Sequence, residues 1–576
     1  MKNTFVVLWM MASVVISSCA PRQNGDQHFE SLASNYIEKL LQLNPEWATS
    51  LGDHRFDARL NDYSGAGVAA QRSLAKAYLD SLASVDMNRL SPINRIDYKI
   101  LRTNLESMLY SLDTLKDYEW NPLSYNVGGA IYGLLARDFA PVKERLESVK
   151  ERLSAISTVV AAAKANLKNP PKIFTETAIR QNIGTISLIN DDLKMYLDQA
   201  PDMKASLAPV QAEAVKVLEA YGQWLQKDLL ARSNGDFRIG DEKFRKKLYY
   251  SLESNLTKED VLRTAEVDLK KTQETLYETG LPLFKKMFPT LTDSKKLDDK
   301  KGVIKAVLDK LADAHPSNMT IVDLAKQDLK TTTEFVRANN LVTVPDKPIK
   351  IIVMPEYQRG VAVAYCDAPG PLDKNGETFF TISPTPKDWT PKRVESFFRE
   401  YNNYMLQDLT MHEGMPGHYL QLAHSNMFTA PTMIRAIFSS GTFVEGWATY
   451  AEQFMVEKGY GGAEVKMQQL KMRLRLIINA IIDQKIHTAG MTEKEAMDVM
   501  MNEGFQEEGE AAGKWRRACL SSAQLSTYYV GNTELNLLRK AYETKHGSSD
   551  IKTMHDAIIS VGSPAPRYVK EALGLE

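Results

Sequence analysis

The chain has 576 residues, 44% of them hydrophobic and 25% charged, with a formal net charge of -1. Those values describe a globular protein that can bury a sizeable core in one large domain or a few smaller ones. They argue against a nucleic-acid binder, which carries a concentrated basic excess.

The N-terminus has a basic residue, Lys2, an apolar run from Phe5 to Ile16, and then Ser17-Ser18-Cys19. The run is too short to span a bilayer and reads as a signal peptide over 1–18. Ile16-Ser17-Ser18-Cys19 resembles a bacterial lipobox, which makes Cys19 the lipidated first residue of the mature protein and 19–28 its tether. Position 20 is Ala rather than Asp, and by resemblance to lipoprotein sorting in Gram-negative bacteria that favours an outer-membrane anchor facing the periplasm. Beyond the anchor only Cys366 and Cys519 remain, so this is no disulfide scaffold. No later apolar segment is long enough to cross a membrane, which leaves the N-terminal lipid as the expected membrane contact.

From 29 to about 340 the pattern predicts a helical N-terminal region. Apolar residues recur at three- and four-residue spacing over Glu30–Leu43, Ala69–Leu82, Pro141–Leu167, Met203–Leu230 and Lys258–Phe284. Thr257 to Asp260 reads as a helix start. The texture changes near 341. Leu341–Pro345, Ile351–Pro355, Val361–Tyr365 and Thr378–Ile382 are rich in β-branched residues and predict a small sheet. Helices resume at Pro391. The expected fold class is mainly α, with a small β-sheet flanking a central cleft and a catalytic region over 341–576.

Residues 411–420 read Met-His-Glu-Gly-Met-Pro-Gly-His-Tyr-Leu. Neutral imidazoles are good zinc ligands, and a Glu beside the first His can act as general base towards water activated by the metal. The usual two-histidine motif separates its histidines by four residues, about 40° around a helix, whereas six residues would put them about 120° apart. Pro416 cannot donate an amide hydrogen bond, and Gly417 tolerates unusual dihedrals. Local unwinding there is expected to bring His418 back to His412, with Glu413 as the base. For the third ligand the segment Phe443 to Phe454 offers Glu445 and Glu452 on one face of a helix otherwise rich in Trp, Tyr and Ala. Glu445 is the expected ligand, because a carboxylate on a buried helix needs a strong partner. Glu452 is expected to orient an imidazole N–H.

Arg475, Asn479, Asp483 and His487 recur every four residues along the next apolar helix. The first two read as a salt-bridge network. Asp483 is expected to orient His487, which would then donate to an oxyanion. Tyr528, in the segment Gln524 to Gly531, is the donor expected first, with His487 the alternative.

These motifs resemble the bacterial family known as domain of unknown function 885, over about 29 to 572. The resemblance rests on His-Glu-x-x-Pro-Gly-His at 412–418 and Glu-Gly-Trp-Ala-x-Tyr-x-Glu at 445–452. Weaker matches are Asn44 to Gly52, Asp483 to Thr488 and Thr527 to Gly531. The family usually carries Arg-Tyr where this chain has Arg517-Ala518. The family in turn resembles helical zinc peptidases with a distant glutamate ligand, such as thimet oligopeptidase and angiotensin-converting enzyme. That resemblance implies a zincin-like, cleft-bearing fold, one Zn2+ ion and hydrolysis of short peptides. An amidase or esterase on another acyl substrate, or a catalytically inactive binding lipoprotein, are the alternatives.

Overall fold

The computed structural model describes residues 24–291, 297–354, 363–373, 376–547 and 550–575. The expected signal peptide and lipidated Cys19 lie outside these residues. Among the described residues no helix is long and apolar enough to cross a membrane.

The molecule is mainly helical. The expected N-terminal helices form as Asn24–Leu43, Gly65–Ala83, Val142–Asn166, Lys204–Trp224 and Lys258–Met287. Further helices, including Pro92–Tyr110, Lys172–Ser187 and Ile321–Ala338, join them. Their apolar stripes meet; Leu146, Leu153 and Ile156 pack with Leu207 and Leu218 in one core. The helix Lys258–Met287 opens with a reciprocal cap. Thr257 Oγ1 accepts from the Asp260 N–H at 3.1 Å, and the Asp260 carboxylate accepts from the Thr257 N–H at 3.2 Å. Its other face lies along the long central helix Gly462–Ala489, where Leu276 and Leu283 meet Met467, Leu470 and Leu474. A fully buried ion pair, Arg435 Nε to Asp97 Oδ1 at 2.5 Å, ties the helix Pro92–Tyr110 to the C-terminal half.

The sheet has three strands among the described residues, β1 (Ile349–Val353), β2 (Ala364–Asp367) and β3 (Thr378–Ile382), in the order β1-β3-β2. β1 runs parallel and β2 antiparallel to β3. Phe380 and Ile382 of β3 turn inward onto Met405 and Leu406 of the helix Asn403–Glu413. The segment Leu341–Pro345 is not a strand, contrary to its β-branched composition. Leu341 and Val342 fill the core, and side chains consume the backbone groups a ladder would use. The Asp556 carboxylate accepts from the Thr343 N–H at 2.8 Å, His424 Nε2 reaches the Thr343 carbonyl at 2.7 Å, and His555 Nδ1 reaches the Leu341 carbonyl at 2.9 Å. The expected strand at Val361–Tyr365 begins at Ala364; Val361 and Ala362 lie outside the described residues.

Candidate metal centre

The six-residue separation of the histidines is resolved by a break between helices rather than by a bulge within one. The first of two helices, Asn403–Glu413, ends directly after His412-Glu413, and the second, His418–Met427, begins at the other histidine. The link Gly414–Gly417 turns so tightly that a Cβ on Gly417 would sit 1.9 Å from the carbonyl oxygen of His412, so only glycine fits. Trp447 Nε1 donates to the carbonyl of Pro416 at 2.9 Å and clamps the turn from outside. The two imidazoles then stand edge to face with centroids 4.6 Å apart.

Glu445 arrives from the helix Gly441–Glu457. Its Oε2 lies 3.6 Å from His412 Nε2 and 3.5 Å from His418 Nε2, and it is buried without a hydrogen-bond partner. The three ligand atoms lie within 4.8 Å of one another, the one such His/Cys/Asp/Glu group among the described residues. Tetrahedral ligands held about 2.1 Å from a zinc ion stand about 3.4 Å apart. The spacing therefore suits a shared cation better than direct hydrogen bonds. The electrostatics agree. Burial would raise the Glu445 carboxyl, but the two imidazoles hold it well below the usual carboxylate range. Burial would likewise lower His412, but the carboxylates of Glu445 and Glu452 hold it well above the ordinary imidazole value. The cluster calls for positive charge, which protons supply when no dication does.

Glu452, two turns along from Glu445, is fully buried, and its Oε1 accepts from His412 Nδ1 at 2.6 Å. That bond fixes the tautomer and leaves Nε2 free to face Glu445. His418 Nδ1 has no such partner. Asp408, a residue the sequence reading missed, is fully buried four residues before His412, with neither carboxylate oxygen hydrogen-bonded. Burial first, and then the charge of Glu452, push its carboxyl well up. Its signal was a lone acidic residue on the same helix face as His412.

Glu413 follows His412, and its Oε2 accepts from the backbone N–H of Cys366 at 2.9 Å. This contact seats β2, an edge strand among the described residues, beside the site.

Tyr528 also comes to this region. Its helix, Ser526–His546, crosses the Glu445 helix where Gly446 meets Gly531; a Cβ on Gly446 would lie 2.6 Å from the Gly531 backbone. The crossing brings Tyr528 close enough to Glu445 to feel its charge. Burial and that charge raise the phenol, which stays protonated. Arg517 Nη2 donates to the phenol oxygen at 2.8 Å, leaving the O–H free to donate elsewhere.

Asp483 and His487 do something other than expected. The Asp483 carboxylate accepts from the N–H groups of Ala523 (2.9 Å) and Ser526 (3.1 Å) and from Ser526 Oγ (2.8 Å), so it is spent on the start of the Tyr528 helix rather than on His487. His487 Nε2 donates to the carbonyls of Ala518 (2.9 Å) and Ser521 (2.8 Å), and its ring stacks on Phe244. Burial lowers its pKa and keeps it neutral. The pair fastens the turn between the helices Glu508–Leu520 and Ser526–His546, and His487 does not join the metal cluster. Arg475 pairs with the buried Glu400, as a structural network would.

A family model described as bacterial protein of unknown function (DUF885) matches residues 45–573. Nothing among the curated proteins matches. A solved structure, that of a candidate lipoprotein of unknown function from Shewanella oneidensis, is 34% identical, with a TM-score of 0.80 over 95% of this chain and 100% of that one. The crystal structure of a candidate lipoprotein from Colwellia psychrerythraea gives a TM-score of 0.79 over 96% of this chain and 99% of its own. Its identity is 15%, so that likeness is one of fold.

Proposed function

The chain belongs to the DUF885 family of bacterial proteins of unknown function, and we propose that it is a zinc-dependent hydrolase of acyl bonds, short peptides first among its substrates. The observation that carries this reading is the approach of both histidine Nε2 atoms to one unpartnered Glu445 oxygen at close to tetrahedral spacing. Two imidazoles and one carboxylate, with one imidazole backed by a second carboxylate, are a donor set that suits zinc and leaves a coordination position open.

When bound, zinc supplies Lewis acidity and an acidified water at neutral pH. His412, His418 and Glu445 would hold it, and Glu452 would keep His412 in the binding tautomer. Glu413 takes the proton released as water attacks the acyl carbon and passes it to the leaving group. Tyr528 donates its O–H to the oxygen on which negative charge develops.

Among the described residues β2 is an edge strand, and its place beside Glu413 supports peptides as substrates, since an extended backbone can align along a strand edge. A non-peptide amide or ester would react by the same steps, and the named relatives carry no assigned activity. The zincin-like assignment, with residues 29–340 as a helical region and 341–576 as the catalytic region, belongs to this proposal. So does anchoring at the cell envelope, and at the outer membrane within it, through Cys19; the lipoprotein relative from Shewanella oneidensis supports the anchor.

The test is Glu413→Gln in zinc-loaded protein against a panel of short peptides, amides and esters. Retained zinc with turnover reduced by about 10²–10⁴-fold is expected. Near-normal turnover removes Glu413 from the mechanism, and a wild-type protein that binds members of the panel without cleaving any is a binding lipoprotein.

A further inference from the structure

The helix Glu508–Leu520 presents Glu510, Lys514 and Arg517 along one face, at spacings of four and three residues. Deep in the fold this face is balanced. Glu400 pairs with Lys471 at 2.9 Å and with Arg475, while Glu510 accepts from Tyr401 Oη at 3.0 Å and lies 3.8 Å from Arg475. Towards the metal cluster the balance fails. Among the described residues the one ion pair of Lys514 is with that same Glu510, at 4.0 Å. Arg517 touches only neutral groups, Gln524 Oε1 at 3.0 Å and Tyr528 Oη at 2.8 Å, both through Nη2. Among the described residues its Nε and Nη1 make no hydrogen bond.

Arg517 is solvent-exposed and open to ligand, while Lys514, one turn away on the same helix face, is nearly buried with its side chain 10% exposed. Both also lie within reach of the Glu445 charge. Burial lowers the Lys514 amine to about 8, so it remains charged at neutral pH. A cation held by His412, His418 and Glu445 would take up the Glu445 charge and leave two basic groups facing the site unbalanced.

We infer that Lys514 and Arg517 form a carboxylate-binding subsite beside the metal centre, and that the substrates are acyl compounds with a free carboxylate a few bonds from the scissile carbonyl. The inference deepens the hydrolase reading and rests on it. A guanidinium already fixed through one nitrogen presents a planar donor edge that matches a carboxylate, and the ammonium adds a second charge. A peptide C-terminus is one source of such a group and an acidic side chain another. The first would make the enzyme an exopeptidase working from the carboxyl end.

The experiment uses three short peptide hydroxamates, whose chelating group anchors them at the metal, titrated calorimetrically into the zinc-loaded mature chain. One ends in a free carboxylate, one in the corresponding amide, and one is an amide with a glutamate side chain. The acid is expected to bind about 10- to 100-fold tighter than the plain amide, the range for hydrogen bonds to a charged group. Lys514→Met and Arg517→Gln should each shrink that ratio towards one, with zinc content and Tm recorded for both variants. If the glutamate-bearing amide matches the acid, the subsite is supported and its ligand is a side-chain carboxylate. Equal binding of all three in the wild type overturns the subsite and leaves the metal centre standing. Binding of none overturns the metal centre, and the subsite with it. A wild-type preference that persists in both variants assigns the selectivity to other residues and overturns the roles of Lys514 and Arg517.

Discussion

Replacing Glu452 with Gln is the most direct probe of how the metal site is built. Glu452 touches no proposed substrate position; it acts only through the 2.6 Å hydrogen bond to His412 Nδ1. The carboxylate is fully buried, so water does not compete for it. A hydrogen bond to a charged partner in such a place contributes about 1.5–3 kcal/mol. Gln keeps the shape and a neutral acceptor but loses the charge, so zinc affinity should fall by about 10–100-fold, as for other outer-shell partners of ligand histidines.

The loss can be read in two ways. Competition with a chromophoric chelator gives the dissociation constant directly. Stability gives it by linkage. Zinc at 100 times its dissociation constant stabilises the fold by about 2.7 kcal/mol, and a 30-fold weaker site would retain only about 0.9 kcal/mol at the same zinc concentration. Asp408→Asn should cost less than Glu452→Gln, because neither Asp408 oxygen has a hydrogen bond to lose. A Glu452→Gln dissociation constant within twofold of the wild type would refute the argument that this carboxylate orients His412.

Tyr528→Phe should lower kcat by about 10²–10³-fold with zinc content unchanged, the size typical of losing one oxyanion donor; full kcat in that variant removes Tyr528 from the mechanism. Cys19→Ser should move the protein from the membrane fraction to the soluble fraction, and continued membrane association would count against the lipid anchor. Stability should also fall as pH rises through neutrality. Burial lifts Glu253 and Glu534 from 4.5 to about 7. A folded pKa above the unfolded one means stability that is complete below about pH 4.5 and lost as pH climbs through about 7, at up to about 3 kcal/mol per group. Gln mimics the protonated acid, so the Glu253→Gln/Glu534→Gln double variant should flatten the dependence of Tm on pH between 5 and 8; an unchanged slope excludes these two groups as its source.

The parts of the site legible in the sequence are those that local chemistry dictates. The histidines, Glu445 and Glu452 were visible because dense ligand-type residues on short spacings are hard to explain otherwise. The mainly helical fold was visible because long apolar stripes leave few alternatives, and the small sheet because β-branched runs broke that pattern. Leu341–Pro345 misled because its composition suits a strand while its backbone groups are claimed by Asp556, His424 and His555, each distant in sequence. Asp483 and His487 were visible as a polar stripe, but their partners are backbone groups of Ala518, Ser521, Ala523 and Ser526, together with the Ser526 hydroxyl. Backbone carbonyls and N–H groups look alike at every position, so no residue pattern points to them.

The triplet Glu445-Gly446-Trp447 shows why motif reading finds a site more readily than it explains one. Successive residues on a helix point about 100° apart, so three neighbours address three different parts of the fold. Glu445 faces the histidines. Gly446 lets the Tyr528 helix approach to backbone contact at Gly531. Trp447 holds the carbonyl of Pro416 and with it the turn that returns His418 to His412. Only the first of these tasks bears on the proposed metal, yet the other two set where the second histidine and Tyr528 stand. A substitution at Gly446 or Trp447 should therefore misplace residues far from it in sequence while leaving every proposed ligand in the chain.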